Sequence, residues 1–515
     1  MRYALSISAA LLLAASQMPA MAQSGPADLV KQAVEAQGGA DALRAFKTAI
    51  IKGEAKHWEP GQSYAPGGEP RFIGDSTFTM SADGVNRTAR IDWARDLKYP
   101  RANQQKYSEI IHASYGVVVD DKGQAKPMSG IRLVSQLREL GRMTPLLLVR
   151  AMDSPQSLAA VEDQKLGEQS FPAVAYTQGG TRYIILFDRT TKLPAAIRTR
   201  DDDHIYGDSD FDLVLADWKP VGGIKLAYSL SSRLNGVEVQ RLTYKEVTAN
   251  AAIAPETFAV ADNLKTVALA SASSDVPYQW VLRRVFFGSF LDSDHVYYPP
   301  GGGFKLVELA PNVQHVNGGT ANNLIVAMKD GIVVFDAPVS EGQSRWVIDA
   351  AKAKYPGKPI KYLVLTHHHM DHTGGTRAYV AEGATVIVPA QAKAYFEQVA
   401  KAPHTVAPDA QQKQMKPANV VGVTDTMSLK DETIEISLYN IPNPHADGMI
   451  IGHVVKENIV FVTDLISPRG PVDRNPGTVA VGNALRKYNI SNAVIAGGHG
   501  TTAKQADIGQ ALAAN

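Results

Sequence analysis

The chain has 515 residues, with 52 Lys plus Arg against 51 Asp plus Glu and a formal net charge of +1. That length exceeds one ordinary core and asks for two domains or more, while the balanced charge argues against a nucleic-acid partner, whose phosphates call for a concentrated basic face. Cysteine is absent, which excludes disulfides, a lipobox and cysteine-ligated metals, so any metal must be held by histidine and carboxylate.

The chain opens with a basic residue at Arg2, an apolar stretch over 4–15 and a small-x-small site at Ala20-Met21-Ala22. This is the pattern of a secretory signal peptide over 1–22, cleaved before Gln23, and it predicts a periplasmic protein. The apolar core is shorter than the 18–20 or so residues that a membrane anchor needs, and no later segment is long and apolar enough to span. Residues 26–46 carry Leu29, Val30, Val34, Leu43 and Phe46 at helical spacing, interrupted by Gly38-Gly39. They predict two short helices with a glycine stop between them.

From about residue 49 to 258 the texture changes to alternating stretches such as 76–80, 183–187, 195–199 and 237–243, punctuated by Asp83-Gly84, Gly222-Gly223 and Asn235-Gly236. These predict antiparallel strands, broken once by an amphipathic helix over 131–152. Residues 211–250 read as strand, turn at Lys219-Pro220-Val221-Gly222-Gly223, strand, turn at Asn235-Gly236, strand. On that texture the stretch resembles the β-rich half-barrels of periplasmic lipoprotein-carrier type. The expectation is a mainly antiparallel β domain over 23–285, serving as a scaffold, a dimerisation domain through which homo-oligomers form, or a ligand-binding domain.

A linker over 286–302 ends in Tyr297-Tyr298-Pro299-Pro300-Gly301-Gly302, followed by Gly303, and these prolines and glycines suit neither a helix nor a strand interior. Beyond it, strands at 323–327, 332–335, 362–365 and 385–388 alternate with helices at 344–354 and 375–382. The alternation predicts an α/β domain over 303–515 with helices covering sheet faces.

Directly after the apolar strand comes Thr366-His367-His368-His369-Met370-Asp371-His372-Thr373-Gly374-Gly375. Where a strand turns into a helix, residues this close point in two directions. His367 and His369 can meet one metal while Asp371 and His372 meet a second. A catalytic zinc usually takes three protein ligands plus a water, so further ligands must come from downstream. His445, Asp464 and His499 each end or follow an apolar run in a turn, where loops at one sheet edge build such sites. His368 is expected to face away, and His315, His404 and His453 have no partner pattern.

On these motifs the last 210 or so residues resemble the metallo-β-lactamase superfamily. The resemblance implies an αββα sandwich and two Zn2+, or other divalent ions. It places His367, His369 and His445 on the first ion, Asp371, His372 and His499 on the second, and Asp464 as the bridge. Asp336 matches the aspartate that supports the ligands from behind. It further implies a hydrolase acting on a small-molecule substrate. Zinc lowers the pKa of bound water to about 7, so a metal-bridging hydroxide is available at neutral pH, and Asp371 takes a catalytic role in proton transfer. The lactamase branches usually carry cysteine or serine where Asp464 stands, which favours an ester, lactone or phosphoester. A β-lactamase, an iron-dependent sulfur dioxygenase and a non-catalytic periplasmic binding protein are the alternatives.

Overall fold

The computed structural model describes residues 25–265, 277–285, 303–319 and 321–513. The signal-peptide segment 1–22 and the linker 286–302 lie outside the described residues. Among the described residues no helix is long and apolar enough to cross a membrane.

The chain starts with helices Pro26–Gln37 and Ala40–Ala45, separated by Gly38 and Gly39 at φ 134° and 91°. A side chain would be strained at both, so the glycine stop acts as the sequence suggests. There follows a 13-stranded sheet in which every paired neighbour is antiparallel. Its strands Gly207–Val221, Ile224–Leu234 and Val237–Ala249 are joined at Gly222-Gly223 and Asn235-Gly236, as the turn residues predict.

One expectation needs correction. The helix foreseen over 131–152 is two helices, Gly130–Met143 and Leu147–Asp153, with Thr144 extended at φ −70°, ψ 133° between them. Pro145 is the cause, because its ring disfavours helical geometry in the preceding residue. The apolar periodicity runs through the break and conceals it.

The C-terminal half holds a seven-stranded and a six-stranded sheet. Strand Ile332–Phe335 pairs in parallel with Ile360–Val364, which pairs in parallel with Thr385–Pro389. Phe335, Val364 and Ile387 of one sheet share a buried apolar cluster with Ile436, Ile450 and Phe461 of the other. Helices Glu341–Lys354, Thr376–Glu382 and Lys393–Lys401 bury Val347, Tyr379 and Phe396 against the first sheet. Helix Pro476–Lys487 buries Val481 and Leu485 with Val460 and Ile495 of the second.

Helix Tyr278–Val285 ties the two halves together. Trp280, Val281 and Val285 join the apolar cluster of the first C-terminal sheet, while Tyr278 and Leu282 pack with Phe211 and Val239 of the N-terminal sheet. Arg283, 1 % exposed, pairs with Glu59 at 2.5 Å and Asp203 at 2.7 Å.

Candidate metal centre

Strand Ile360–Val364 delivers Thr366 and His367 to its C-terminal end, and the single turn Met370–Thr373 begins two residues after His368. The turn packs closely. A Cβ on Gly374 would stand 2.1 Å from the Val339 carbonyl oxygen, and one on Gly375 would strike the Ser344 hydroxyl. The Gly-Gly pair therefore lets the motif nest against the loop that carries Asp336.

The foreseen ligands converge in two groups. His367, His369, His445 and Asp464 form one, and Asp371, His372 and His499 the other, each with its ligand atoms within 4.8 Å of one another. Asp464 stands between them. Its Oδ2 lies 3.0 Å from His367 Nε2, 3.1 Å from His372 Nε2 and 3.3 Å from His445 Nε2, while its Oδ1 lies 2.8 Å from His499 Nε2.

The hydrogen bonds on the far sides of the rings fix which nitrogen faces inward. Asp336 Oδ2 is 3.0 Å from His372 Nδ1 and can only accept, so Nδ1 carries a proton and, in the neutral ring, the lone pair sits on Nε2. That lone pair faces His499 Nε2 at 3.1 Å. His369 Nε2 donates to the Ser63 carbonyl at 2.9 Å, which leaves its Nδ1 directed at His445 Nε2, 2.8 Å away. His367 Nε2 is buried and faces Asp464 Oδ2 at 3.0 Å. Acceptors turned toward one another at such distances repel unless a cation or a proton stands between them, so this donor set fits divalent metal.

Asp336 is fully buried and held in place by the Thr366 backbone N–H at 2.8 Å and the Thr366 hydroxyl at 3.1 Å. Both Asp336 and Asp464 lie in the left-handed region, at φ 60° and 54°. Non-glycine residues hold that conformation where surrounding structure enforces it, commonly at functional sites.

Burial sets the electrostatics of the histidines. It pushes His367 down to about 3 and His369 well below the ordinary range, so both rings are neutral at physiological pH. For His372 burial pulls the same way, but Asp464, Asp371 and Asp336 outweigh it and raise the ring well above its usual value, so without a cation Nε2 also holds a proton, and a metal ion bound there would displace it. Burial raises Asp464, yet His372, His499 and His445 hold it well below the carboxylate range.

His368 joins neither group. Its Nε2 faces the Ser63 carbonyl at 2.9 Å, away from the cluster, as expected. His315 Nε2 bonds the Gly497 carbonyl at 2.9 Å and steadies the turn that carries His499, together with the Asn322 amide, which donates to Gly497 and Gly500. His404 pairs with Asp202 of the N-terminal sheet at 2.9 Å, and His453 bonds Asn458.

Sequence reasoning missed the contribution of the N-terminal half. Gln62, Ser63, Arg71 and Tyr99 all reach the centre: Gln62 Nε2 donates to Asp371 Oδ1 at 2.5 Å, Arg71 donates to the His445 carbonyl at 3.1 Å, and Tyr99 stacks on His445 with ring centroids 6.5 Å apart. Gln62 and Asp371 are 309 positions apart, and no motif surrounds Gln62.

Known proteins resemble part of this chain. A linear primary-alkylsulfatase from Pseudomonas sp. is 36% identical over 78 residues, which is 15% of this chain and 12% of that protein. An (R)-specific secondary-alkylsulfatase, also from Pseudomonas sp., is 33% identical over 78 residues, again 15% and 12%. These matches thus span only about an eighth of the relatives' length. Among solved structures, a metallo-beta-lactamase from Pontibacter korlensis is 17% identical with a TM-score of 0.31, covering 41% of this chain and 100% of that one. A stereoselective inverting sec-alkylsulfatase from Pseudomonas sp. is 18% identical with a TM-score of 0.32, covering 40% and 41%. The superfamily's sequence profile matches residues 316–506, the stretch that carries every ligand candidate, and this part of the chain is a metallo-beta-lactamase superfamily domain.

Proposed function

We propose that the protein is an exported, periplasmic hydrolase that holds two zinc ions and cleaves an ester-like bond in a small molecule. Alkyl sulfate esters are the first class to test, ahead of lactones, carboxylic esters and phosphoesters. The observation that carries the reading is Asp464, whose two oxygens face both ligand groups. The local match to alkylsulfatases supports sulfate esters. The domain boundaries 23–285 and 303–515, the αββα sandwich and the carrier-like half-barrel belong to the same reading.

His367, His369 and His445 would hold the first ion, Asp371, His372 and His499 the second, and Asp464 both. Zinc, when bound, acidifies water and polarises an ester oxygen. The chain's residues do the rest. Asp336 holds His372 in one tautomer, the Ser63 carbonyl does the same for His369, and burial keeps His367 and His369 neutral and able to bind. Asp371 Oδ1 accepts one hydrogen bond from Gln62 and has a second lone pair, on which it can take the proton of the attacking water and pass it to the departing alkoxide oxygen. For an alkyl sulfate the products are the alcohol and hydrogen sulfate.

The test combines metal analysis with a substrate panel. The purified protein, loaded with zinc, is assayed against an alkyl sulfate, a lactone, a nitrophenyl carboxylate, bis-nitrophenyl phosphate and a chromogenic cephalosporin. Two ions per chain and turnover on an ester-like substrate well above that on the cephalosporin are expected. No bound metal, or fastest turnover on the cephalosporin, overturns the reading.

A further inference from the structure

The strand Thr48–Glu59 of the N-terminal sheet runs into a single turn, Pro60–Gln62, that lies on the Met370–Thr373 turn of the metal motif. The approach is close. A Cβ on Gly61 would meet Met370 Sδ at 2.4 Å, so glycine lets this strap reach the site. Behind it, Glu59 accepts from the Gly61 N–H at 2.8 Å and is clamped by Arg283 at 2.5 Å.

Gln62, 4 % exposed, forms the tip of the strap. Its orientation is set by chemistry, because the Asp371 carboxylate can only accept and therefore must face the amide NH2. The amide oxygen is then left for the Tyr99 hydroxyl, which donates to it at 2.7 Å. Arg71 Nε donates to the Gln62 carbonyl at 2.8 Å and fixes the backbone as well. The chain Tyr99 to Gln62 to Asp371 ends at Oδ1, while Asp371 Oδ2 is the oxygen nearer His372 Nε2, at 3.8 Å.

We propose that Gln62, presented by the N-terminal domain and steadied by Tyr99, is a positioning residue for Asp371: it engages Oδ1 and so commits Oδ2 to the second metal. The proposal rests on the two-ion reading above. The terminal torsion of an aspartate is broad and roughly two-fold, so a carboxylate without this partner exchanges its oxygens or offers both. With it, one oxygen is assigned to one ion. The N-terminal domain is then part of the metal centre, whatever else it binds.

The test is zinc titration of the full chain in competition with a chromophoric chelator, backed by the visible spectrum of the cobalt-loaded protein. Gln62→Met keeps length and bulk but removes both polar atoms. It should weaken the second ion by about 10- to 100-fold, the usual cost of losing a group that orients a ligand, leave the first ion's affinity unchanged and alter the second-site cobalt bands. Tyr99→Phe, which retains the amide but frees its oxygen end, should give a smaller shift in the same direction, and it carries the test if Gln62→Met fails to fold. Two ions bound at parental affinity in these variants would overturn the positioning role and leave the hydrolase reading intact. Fewer than two ions in the parent protein would overturn the two-ion reading, and this inference with it.

Discussion

Replacing Asp464 by asparagine keeps the shape of the side chain and removes its charge from between two groups of ligands. The backbone tolerates the change, since Asp464 sits at φ 54° and asparagine is among the residues most at ease there. A four-ligand zinc site is worth about 10–16 kcal/mol in apparent binding energy at neutral pH, or about 3 kcal/mol per ligand. Asp464 Oδ2 lies within 3.3 Å of three histidine nitrogens and Oδ1 within 2.8 Å of a fourth, so both ions of the proposed pair would depend on it. A neutral amide oxygen remains a weak donor, and its nitrogen cannot ligate. Asp464→Asn should therefore lower zinc affinity at the bridged positions by about 100-fold, equivalent to roughly 3 kcal/mol, and reduce turnover of an alkyl sulfate at least in proportion to the lost occupancy. Elemental analysis after dialysis and competition with a chelator read the affinity, and circular dichroism checks the fold. Two zinc ions held at parental affinity, with parental turnover, would refute the assignment of Asp464 as the bridge.

Two predictions concern the frame around the site. Arg283→Met leaves Glu59 and Asp203 buried without their cation; breaking a buried pair in this way costs about 3–5 kcal/mol. A melting temperature lower by about 5–10 °C is expected, with zinc loss following because Glu59 anchors the strap, and an unchanged thermal scan would show that this cluster does not join the two halves. His57 is buried beside Ser76, and burial, aided by Arg95, holds its ring well below the ordinary value of about 6.5. Between the folded and unfolded pKa values only the unfolded chain takes the proton, so the His57 contribution to stability is complete above about 6.5 and is lost as pH falls below it. Denaturant melts between pH 6.5 and 5 should show a slope shallower by about 1.4 kcal/mol per pH unit in His57→Gln than in the parent; equal slopes would mean that His57 titrates normally.

The residues that gather in the two clusters were legible in the sequence because most of them are locally encoded. His367, His369, Asp371 and His372 occupy six positions, and an apolar strand before them with Gly374-Gly375 after them dictates a strand end followed by a tight turn. His445, Asp464 and His499 were legible for the same reason, each ending an apolar run in a turn. The Gly38-Gly39 stop and the turns at Gly222-Gly223 and Asn235-Gly236 followed from backbone freedom that only a few residues possess. The same kind of reading missed the break at Pro145, where the apolar stripe of two helices stays in phase and periodicity outvotes the local signal.

The tertiary structure alone decided what stands behind the clustered histidines and aspartates. Gln62 lies 309 positions from Asp371, and the Ser63 carbonyl 306 from His369. Their positions depend on the 13-stranded sheet, on Arg283 clamping Glu59, and on a glycine at 61 that lets the strap touch Met370. A single glutamine and a backbone carbonyl leave no pattern in a sequence. Periodicity and spacing report what a residue does with neighbours a few positions away, whereas contacts closed by the packing of the two halves of the chain are fixed by the summed geometry of all the intervening elements.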